Sequence, residues 1–323
     1  MTLQVLSMRD IVEAEMPDYD SLLGEGLIVP NGKVVGYGPP ESYKSIYAQQ
    51  LLYKLSQGED FLGHTVHKAV NTWYVELEIA ERQFQIRTQH MASYGGGVSD
   101  KAYYSHPHVF ILSDNKAADA LIEQANQYEI EVLFLDPLNL ILNGSENNDE
   151  HIRELMHMLD RVRERAEHKP AVGIIHHSNK GLYSADGQAV DRGFNEVSGS
   201  KGIIAWPDTI FNLKRVKSPP LTVRETWQKA RYQTPPEPQW LTFSEEKVML
   251  EFAEDGPEGR LKAFLRDNSP ASTVEVDEQL RLAGLSQAGA RNYRKQATAA
   301  GWLDEQPDPT QHRAKLYRLA EGE

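Results

Sequence analysis

The sequence predicts an α/β domain with a mostly parallel sheet and antiparallel edge strands, followed by a small helix-rich unit. Up to about residue 175, apolar β-branched runs alternate with helical stretches, which is typical of parallel strands joined by helical crossovers. Between residues 208 and 252, strand-like runs are separated by proline-rich turns, which indicates antiparallel strands. An acidic Gly-Pro stretch at 254–259 reads as a linker to the last unit.

The order of elements follows from these patterns. Strand-like runs lie at 27–29, 33–37, 72–77, 109–113, 131–135 and 171–175, and then at 208–214, 221–230 and 240–252. Helical stretches lie at 46–55, 80–90, 117–128 and 148–167. We therefore expect a lead-in at 1–25, the α/β domain at 26–253, a linker at 254–259 and a C-terminal domain at 260–323.

Composition narrows the class of protein. The chain has 323 residues, which is long for one domain, and its lack of cysteine excludes a disulfide framework and a cysteine-based zinc site. Neither a signal peptide nor an apolar run of membrane-spanning length is visible, so we expect a cytoplasmic protein without membrane contact. The net charge of −13 confines any nucleic-acid contact to a channel or local patch.

The segment 38–45 has the layout of a phosphate-binding loop, because it follows a strand-like run and opens a helical one. In such loops, backbone amides bind phosphate oxygens, a lysine neutralises the β and γ charge, and the next residue ligates Mg²⁺. Lys44 and Ser45 occupy these last two positions. The predicted nucleotide-binding residues are Gly38, Pro39, Pro40, Glu41, Ser42, Tyr43, Lys44 and Ser45.

Tyr43 departs from the pattern, which has a second glycine immediately before the lysine. If this position needs a left-handed backbone, a tyrosine strains the loop by about 1–2 kcal/mol. Because the relaxed pattern also arises by chance, the assignment needs support from elsewhere in the chain.

Two acidic residues at predicted strand ends supply that support. Asp136 follows a buried strand at the end where open α/β sheets bind ligands, and can hold Mg²⁺. Alternatively, Asp136 only ends a core strand before a turn. Glu78 lies two residues after Glu76, beyond the carboxyl-terminal end of the predicted strand. At this position it can orient or deprotonate a water molecule. Its alternative role is that of an acid favoured by the N-terminus of the next helix.

A polar segment follows the strand-like run at 171–175. His177 stands where a hydrogen-bonding sensor of the γ-phosphate would lie, and a metal site formed with His176 is disfavoured because adjacent strand residues point to opposite faces. The long loop that follows carries Lys180 and Arg192 and leads to Lys201. These three cations are predicted to contact DNA phosphates; a solvated loop is the alternative.

Lys229 and Arg231 project to the same face of a predicted edge strand. In a ring of identical subunits, this face can reach a neighbour's γ-phosphate, where an arginine stabilises the charge that develops during phosphoryl transfer. The alternative is an edge strand whose charges prevent edge-to-edge aggregation.

The C-terminal domain has the element order of a winged helix-turn-helix, with helices predicted at 260–268, 277–283 and 285–300 and a strand or turn at 272–276. Arg291, Arg294 and Lys295 cluster on the predicted recognition helix and are candidate DNA contacts. Winged helices also bind proteins, so a protein partner is the alternative.

Together these residues resemble the RecA-like ATPases of hexameric replicative helicases, in particular the RepA-like branch of plasmids and phages. The resemblance spans about residues 20 to 252 and rests on the segments 38–45, 75–78 with Arg82 and Arg87, 135–138, 176–180, 198–200 and 229–231. It implies ATP and Mg²⁺ as cofactors, water activation by Glu78, metal binding by Asp136, and action of Lys229 and Arg231 across the ring.

We therefore expect an ATP-hydrolysing oligomeric motor, a hexameric helicase of a mobile element that acts on single-stranded DNA. One alternative is an ATP-dependent ring scaffold or DNA-binding regulator with slow or no hydrolysis, which Tyr43 favours and Glu78 opposes. Another is a recombination or repair ATPase that forms filaments on DNA.

Overall fold

The computed structural model describes residues 6–14, 21–107, 109–178, 201–216, 222–253, 256–283, 285, 287–309 and 314–320. The described residues form a nine-stranded sheet in the order β3-β2-β4-β5-β1-β6-β7-β8-β9. The strands from β3 to β6 in this order are parallel, and β7, β8 and β9 are antiparallel. Their bounds are β1 Lys33–Gly38, β2 Thr72–Glu76, β3 Ala102–Ser105, β4 Val132–Asp136, β5 Ala171–His177, β6 Thr209–Val216, β7 Thr222–Ala230, β8 Gln239–Ser244 and β9 Met249–Phe252.

Helices cover both faces of this sheet. Successive strand residues point to opposite faces, so Val34 joins one hydrophobic cluster with α2, while Val35 joins another with α4 and α6. The parallel α/β class predicted from the sequence is therefore confirmed. The helices of this domain are α1 Met8–Glu13, α2 Lys44–Gln57, α3 Glu81–Tyr94, α4 Asn115–Gln127, α5 Leu138–Ile141, α6 Asp149–Arg165 and α7 Gly202–Ala205.

Three predicted strands differ in the structure. The strand next to β2 is Ala102–Ser105, whereas residues 109–113 lie outside the sheet, where the N–H of Leu112 donates to the carbonyl of Ile141 at 2.8 Å. The run at 240–252 is two strands, because a turn with Val248 at φ 54° separates β8 from β9. Residues 27–29 form only an isolated bridge from Ile28 to Leu23.

The C-terminal unit has a hydrophobic cluster of its own. It contains α8 Pro257–Asp267, α9 Thr273–Leu282 and α10 Gln287–Ala299, with the short strands β10 Ala271–Ser272, β11 Leu303–Pro307 and β12 Lys315–Leu319 in an antiparallel sheet of order β10-β12-β11. The expected strand or turn at 272–276 is instead the start of α9, where Ser272 and Glu275 form a capping box.

The C-terminal unit contacts the large sheet through β8. The indole N–H of Trp240 donates to the carbonyl of Ala283 at 2.9 Å, and Trp240 packs against the cluster of the small unit. None of the helices in the described ranges combines the length and apolar character needed to cross a membrane.

Candidate active site

The predicted site residues come together because four parallel strands end at one edge of the sheet. The residues Gly38 of β1 and His177 of β5 are register partners, as are Glu76 of β2 and Asp136 of β4. In open α/β sheets this carboxyl-terminal edge is where ligands bind. The loop after β1 therefore lies beside the ends of β5, β4 and β2.

The loop begins with a close approach between backbone segments. A Cβ atom at Gly38 would lie 2.2 Å from the carbonyl oxygen of Leu213 and 2.8 Å from the hydroxyl of Ser42. Only glycine fits this position without moving the neighbouring strand β6. The first glycine of the sequence motif thus has a direct steric reason.

Tyr43 is the N-cap of α2 and has a left-handed backbone, at φ 64° and ψ 21°. Because the backbone is left-handed here, a non-glycine residue is expected to strain the loop by about 1–2 kcal/mol. The Tyr43 ring stacks on Phe243 of β8, with centroids 4.5 Å apart and planes 19° apart. Such a stack stabilises by about 0.5–1.5 kcal/mol beyond its buried area, which offsets much of the strain.

Lys44 is buried, and its Nζ donates a hydrogen bond of 2.7 Å to the carbonyl of Pro39. Burial lowers its pKa to about 8, although the nearby carboxylates of Asp136 and Glu78 act in the opposite direction. A poorly solvated cation held inside the loop is poised to gain much from an anion there. This arrangement fits the expected role at the β- and γ-phosphates.

Asp136 ends β4 with a fully enclosed carboxylate. Its Oδ2 accepts a hydrogen bond from the Tyr74 hydroxyl, and the Ser45 hydroxyl also donates to this carboxylate. Burial raises the pKa of Asp136, while these two donors and Lys44 oppose the shift. Ser45 and Asp136 are thus within one hydrogen bond of each other, as a shared Mg²⁺ site requires.

The structure separates Glu76 from Glu78. Glu76 is buried, and its Oε1 accepts hydrogen bonds from the backbone N–H groups of Glu78 at 2.9 Å and Ile79 at 3.2 Å. Burial, followed by the charge of Asp136, raises the pKa of Glu76. Glu78 is exposed beyond the strand end. Glu76 therefore shapes the turn, and Glu78 is the acid free to contact a water.

His177 is half-buried at the end of β5, beside the loop. Burial lowers its pKa, and the charge of Lys44 acts in the same direction. A neutral imidazole at neutral pH has one donor and one acceptor nitrogen. Its Nδ1 is enclosed and lacks a hydrogen-bond partner among the described residues.

Lys229 and Arg231 lie at the opposite end of the parallel strands from the phosphate-binding loop. Lys229 pairs with Ile210 near the amino-terminal end of β6, and its Nζ donates to the carbonyl of Pro207 at 2.6 Å. Arg231 is half-exposed and forms an ion pair of 3.0 Å with Asp208. Burial lowers the pKa of Lys229, and the charge of Arg231 adds to this effect. The structure does not bring this pair to the loop of its own chain.

The predicted DNA-contacting cations have different surroundings. Lys180 and Arg192 lie outside the described residues, and Lys201 is exposed at the start of α7. On α10, Arg291 and Lys295 are exposed, but Arg294 is not free. Its Nε donates to Asp277 at 2.9 Å and its Nη1 to the Tyr317 hydroxyl, over whose ring the guanidinium lies.

Arg294 thus differs from Arg291 and Lys295 because it is already bound to Asp277 and Tyr317 inside the C-terminal unit, and its contact with DNA stays a prediction. Its spacing from Arg291 and Lys295 indicated a common basic surface, whereas contacts with Asp277 and Tyr317 turn it inward.

Three residues of the site had no role in the sequence-based prediction: Tyr74, Gln50 and Phe243. Tyr74 donates from the middle of β2 to the carboxylate of Asp136, and Gln50 binds both polar backbone groups of Leu250. Phe243 contacts Tyr43 from 200 residues away in the chain. Of these three residues, only Tyr74 could have been noticed in the sequence, because it lies in a predicted strand that leads to the site. The contacts of Gln50 and Phe243 join segments that are distant in the chain.

A cavity of about 790 Å³ lies elsewhere, between α3 and β3. Phe84, Met91 and Tyr104 contribute its apolar lining, and His106 lies at its polar side. None of the predicted site residues lines it, so this cavity and the strand-end site are separate features.

The residues at the strand ends fit a nucleotide with its metal. Tyr43 forms no side-chain cap at the start of α2, so the first amides of this helix are available to phosphate oxygens. Lys44 would supply the charge next to them, and Ser45 with Asp136 would supply oxygen ligands for Mg²⁺. Among the described residues, no group of three or more His, Asp or Glu side chains is placed to hold a metal ion.

A parallel sheet with a phosphate-binding loop, a strand-end aspartate and a neighbouring free glutamate defines a P-loop ATPase. The sequence matches the family of AAA domains over residues 2–182, more than half of the chain, and the protein belongs to this family. A search of curated proteins finds no match.

Proposed function

We propose that this P-loop ATPase is an oligomeric motor acting on DNA, a hexameric replicative helicase of a plasmid, phage or other mobile element. The observation that carries the proposal is that Glu78 and Arg231 lie at opposite ends of the parallel strands of one sheet. A charged pair at the edge distant from the loop suits a subunit whose site is completed by its neighbour.

The register of the strands gives the separation. The N–H of Arg231 donates to Asp208, and the N–H of Asp208 donates to Lys33, the first residue of β1. Gly38 lies at the other end of β1, so about 17 Å of strand separates the two levels. This is farther than an arginine side chain extends. Arg231 therefore reaches a γ-phosphate only if that nucleotide is bound to another copy.

Each residue then has a chemical task. Lys44 and the amides at the start of α2 bind the phosphates, and Ser45 and Asp136 hold the Mg²⁺, which supplies positive charge to the phosphate oxygens. Glu78 orients the attacking water and accepts its proton. His177 hydrogen-bonds to the γ-phosphate. Arg231 of the adjacent copy leaves its ion pair with Asp208 and binds the negative charge that develops on the phosphoryl group during transfer.

We further propose that the C-terminal unit is a winged helix, in which α10 is the recognition helix and β11–β12 form the wing. The exposed side chains of Arg291 and Lys295 are one turn apart on α10, which suits contact with DNA phosphates. A protein partner remains the alternative for this surface. Single-stranded DNA would bind the ATPase domain itself.

A second candidate function is a ring scaffold that binds ATP and hydrolyses it slowly. The observation that favours it is the left-handed Tyr43 in the phosphate loop, where glycine imposes no strain. The exposed Glu78 at the strand end favours hydrolysis.

Steady-state ATPase activity, measured with and without single-stranded DNA, tests the proposal. A motor shows hydrolysis that DNA stimulates, light scattering with ATP and Mg²⁺ gives the mass of a hexamer, and electron micrographs show closed rings. ATP-dependent rings with no turnover in either condition would favour the scaffold. Lys44→Ala is the background control, because a variant that does not bind ATP retains only contaminating activity.

A further inference from the structure

We propose that Phe243 is a positioning residue for the phosphate-binding loop, because its stack on Tyr43 holds the loop backbone in the conformation that binds nucleotide. The inference rests on the proposed role of residues 38–45 in ATP binding. It assigns a task to the β8–β9 hairpin, which lies at the sheet edge remote from β2 and β4.

The backbone of Tyr43 sets the direction of the first helical amides. Its carbonyl accepts the N–H of Tyr47 at 2.9 Å, which is the first hydrogen bond of α2. The N–H groups of Lys44 and Ser45 follow directly and have no such partner inside the helix. A change at φ or ψ of Tyr43 therefore re-aims the amides expected to bind phosphate.

Nothing in the backbone itself favours this conformation. A left-handed residue with a Cβ is unfavourable, and the Tyr43 side chain makes no capping hydrogen bond. The ring of Tyr43 instead lies on the ring of Phe243, with centroids 4.5 Å apart. Tyr43 and Phe243 also pack against a buried cluster made of Ile46, Met91 and Met249.

Phe243 is held in a fixed position relative to α2. It pairs across the hairpin with Leu250, whose N–H and carbonyl are both bound by the side-chain amide of Gln50, at 2.8 Å and 3.0 Å. Gln50 is buried on α2, two turns after Tyr43. The hairpin and the helix thus form one rigid support, and the Tyr43 ring is fixed to that support at the point where the loop ends.

A loop held in its binding conformation loses less entropy when ATP binds, and so binds more tightly. Removing the Phe243 ring frees Tyr43 to leave the left-handed region. We therefore expect Phe243→Ala to weaken ATP binding about threefold to tenfold, the range that corresponds to one aromatic stack. The measurement is the dissociation constant of ATP with Mg²⁺ by isothermal titration calorimetry on the full chain.

A matched control variant isolates the stack. Phe252→Ala removes the same kind of ring from the same hairpin at an exposed position, and should leave ATP affinity within about twofold of wild type.

A double-mutant cycle separates positioning from general stability. In a Tyr43→Gly background the ring to be held is absent and a left-handed backbone is unstrained, so Phe243→Ala should change ATP affinity less than twofold. An equal loss of affinity in both backgrounds would show that Phe243 acts through the fold, and would overturn the inference. So would wild-type affinity of Phe243→Ala alone.

If Phe243→Ala does not fold, Phe243→Leu replaces it, because leucine fills most of the volume without a stack. The same cycle then applies, with thermal unfolding midpoints as the check on folding. Lys44→Ala distinguishes a misassigned nucleotide site from a missing positioning role of Phe243. If Lys44→Ala binds ATP like wild type, the nucleotide site itself is misassigned. If Lys44→Ala abolishes binding while the Phe243 variants bind like wild type, only the positioning role fails.

Discussion

Lys44 holds a buried positive charge against the carbonyl of Pro39, in a loop whose other phosphate-facing groups are backbone amides. We expect Lys44→Ala to abolish ATP binding, because the amides position the phosphates but do not neutralise them. Lys68→Ala, which removes an exposed lysine distant from the loop, serves as control in the same titration. Unchanged ATP affinity of Lys44→Ala contradicts the phosphate-loop assignment.

Glu78 and Glu76 are two residues apart but differ in environment, so they should differ in effect. Glu78→Gln should bind ATP like wild type and hydrolyse it at least about 10²-fold more slowly, as expected when a positioned base is lost. Single-turnover hydrolysis of labelled ATP measures this rate, with Glu81→Gln as an exposed control on the adjacent helix. Turnover of Glu78→Gln within a few-fold of wild type would transfer the catalytic assignment to Glu76.

At the scale of elements, α10 combines two kinds of arginine. Arg294 bonds to Asp277 of α9 and Tyr317 of β12, and so ties three elements of the C-terminal unit together. Arg291 is exposed on the same helix. This contrast indicates that Arg294 stabilises the unit, whereas Arg291 is available to a partner.

We expect Arg294→Ala to destabilise the C-terminal unit by about 1–3 kcal/mol, because it leaves Asp277 without its charged partner. Arg291→Ala should change stability by less than about 0.5 kcal/mol. Hydrogen–deuterium exchange of peptides from α8, α9 and α10, followed as a function of denaturant, measures both variants. Equal stability of the two variants would show that the Arg294 network contributes nothing.

At the scale of the whole molecule, the position of Arg231 on the far edge predicts sites shared between copies. Arg231→Ala should lose ATPase activity and keep nucleotide binding, because the residue acts only on a neighbour's transition state. Activity and ATP affinity, measured on the same preparation, check this expectation.

Mixing two inactive variants is the sharper experiment. Arg231→Ala subunits mixed with Glu78→Gln subunits should regain partial activity, because some interfaces in a mixed ring combine an intact Glu78 with an intact Arg231. Mixing Arg231→Ala with the double variant Glu78→Gln/Arg231→Ala is the control, since every interface then lacks Arg231. A mixture that co-assembles and yet stays inactive at every ratio argues against shared sites.

The features that depend on neighbouring residues can be predicted from the amino-acid sequence. Periodicity predicted the parallel sheet, and residue order placed Lys44, Asp136, Glu78 and His177 at strand ends, because parallel strands direct their carboxyl ends to one edge. The α/β class and the nucleotide-binding class follow from these local sequence patterns, and the family match supports both.

The contact partners of these residues, in contrast, depend on how the elements pack in three dimensions. The inward turn of Arg294, the pairing of Arg231 with Asp208, and the stack of Phe243 on the strained Tyr43 depend on contacts between elements. The location of β3 and the division of the run at 240–252 likewise depend on which backbone edges meet. Such contacts form between segments up to 200 residues apart, so no local spacing encodes them; burial and packing select them when the chain folds.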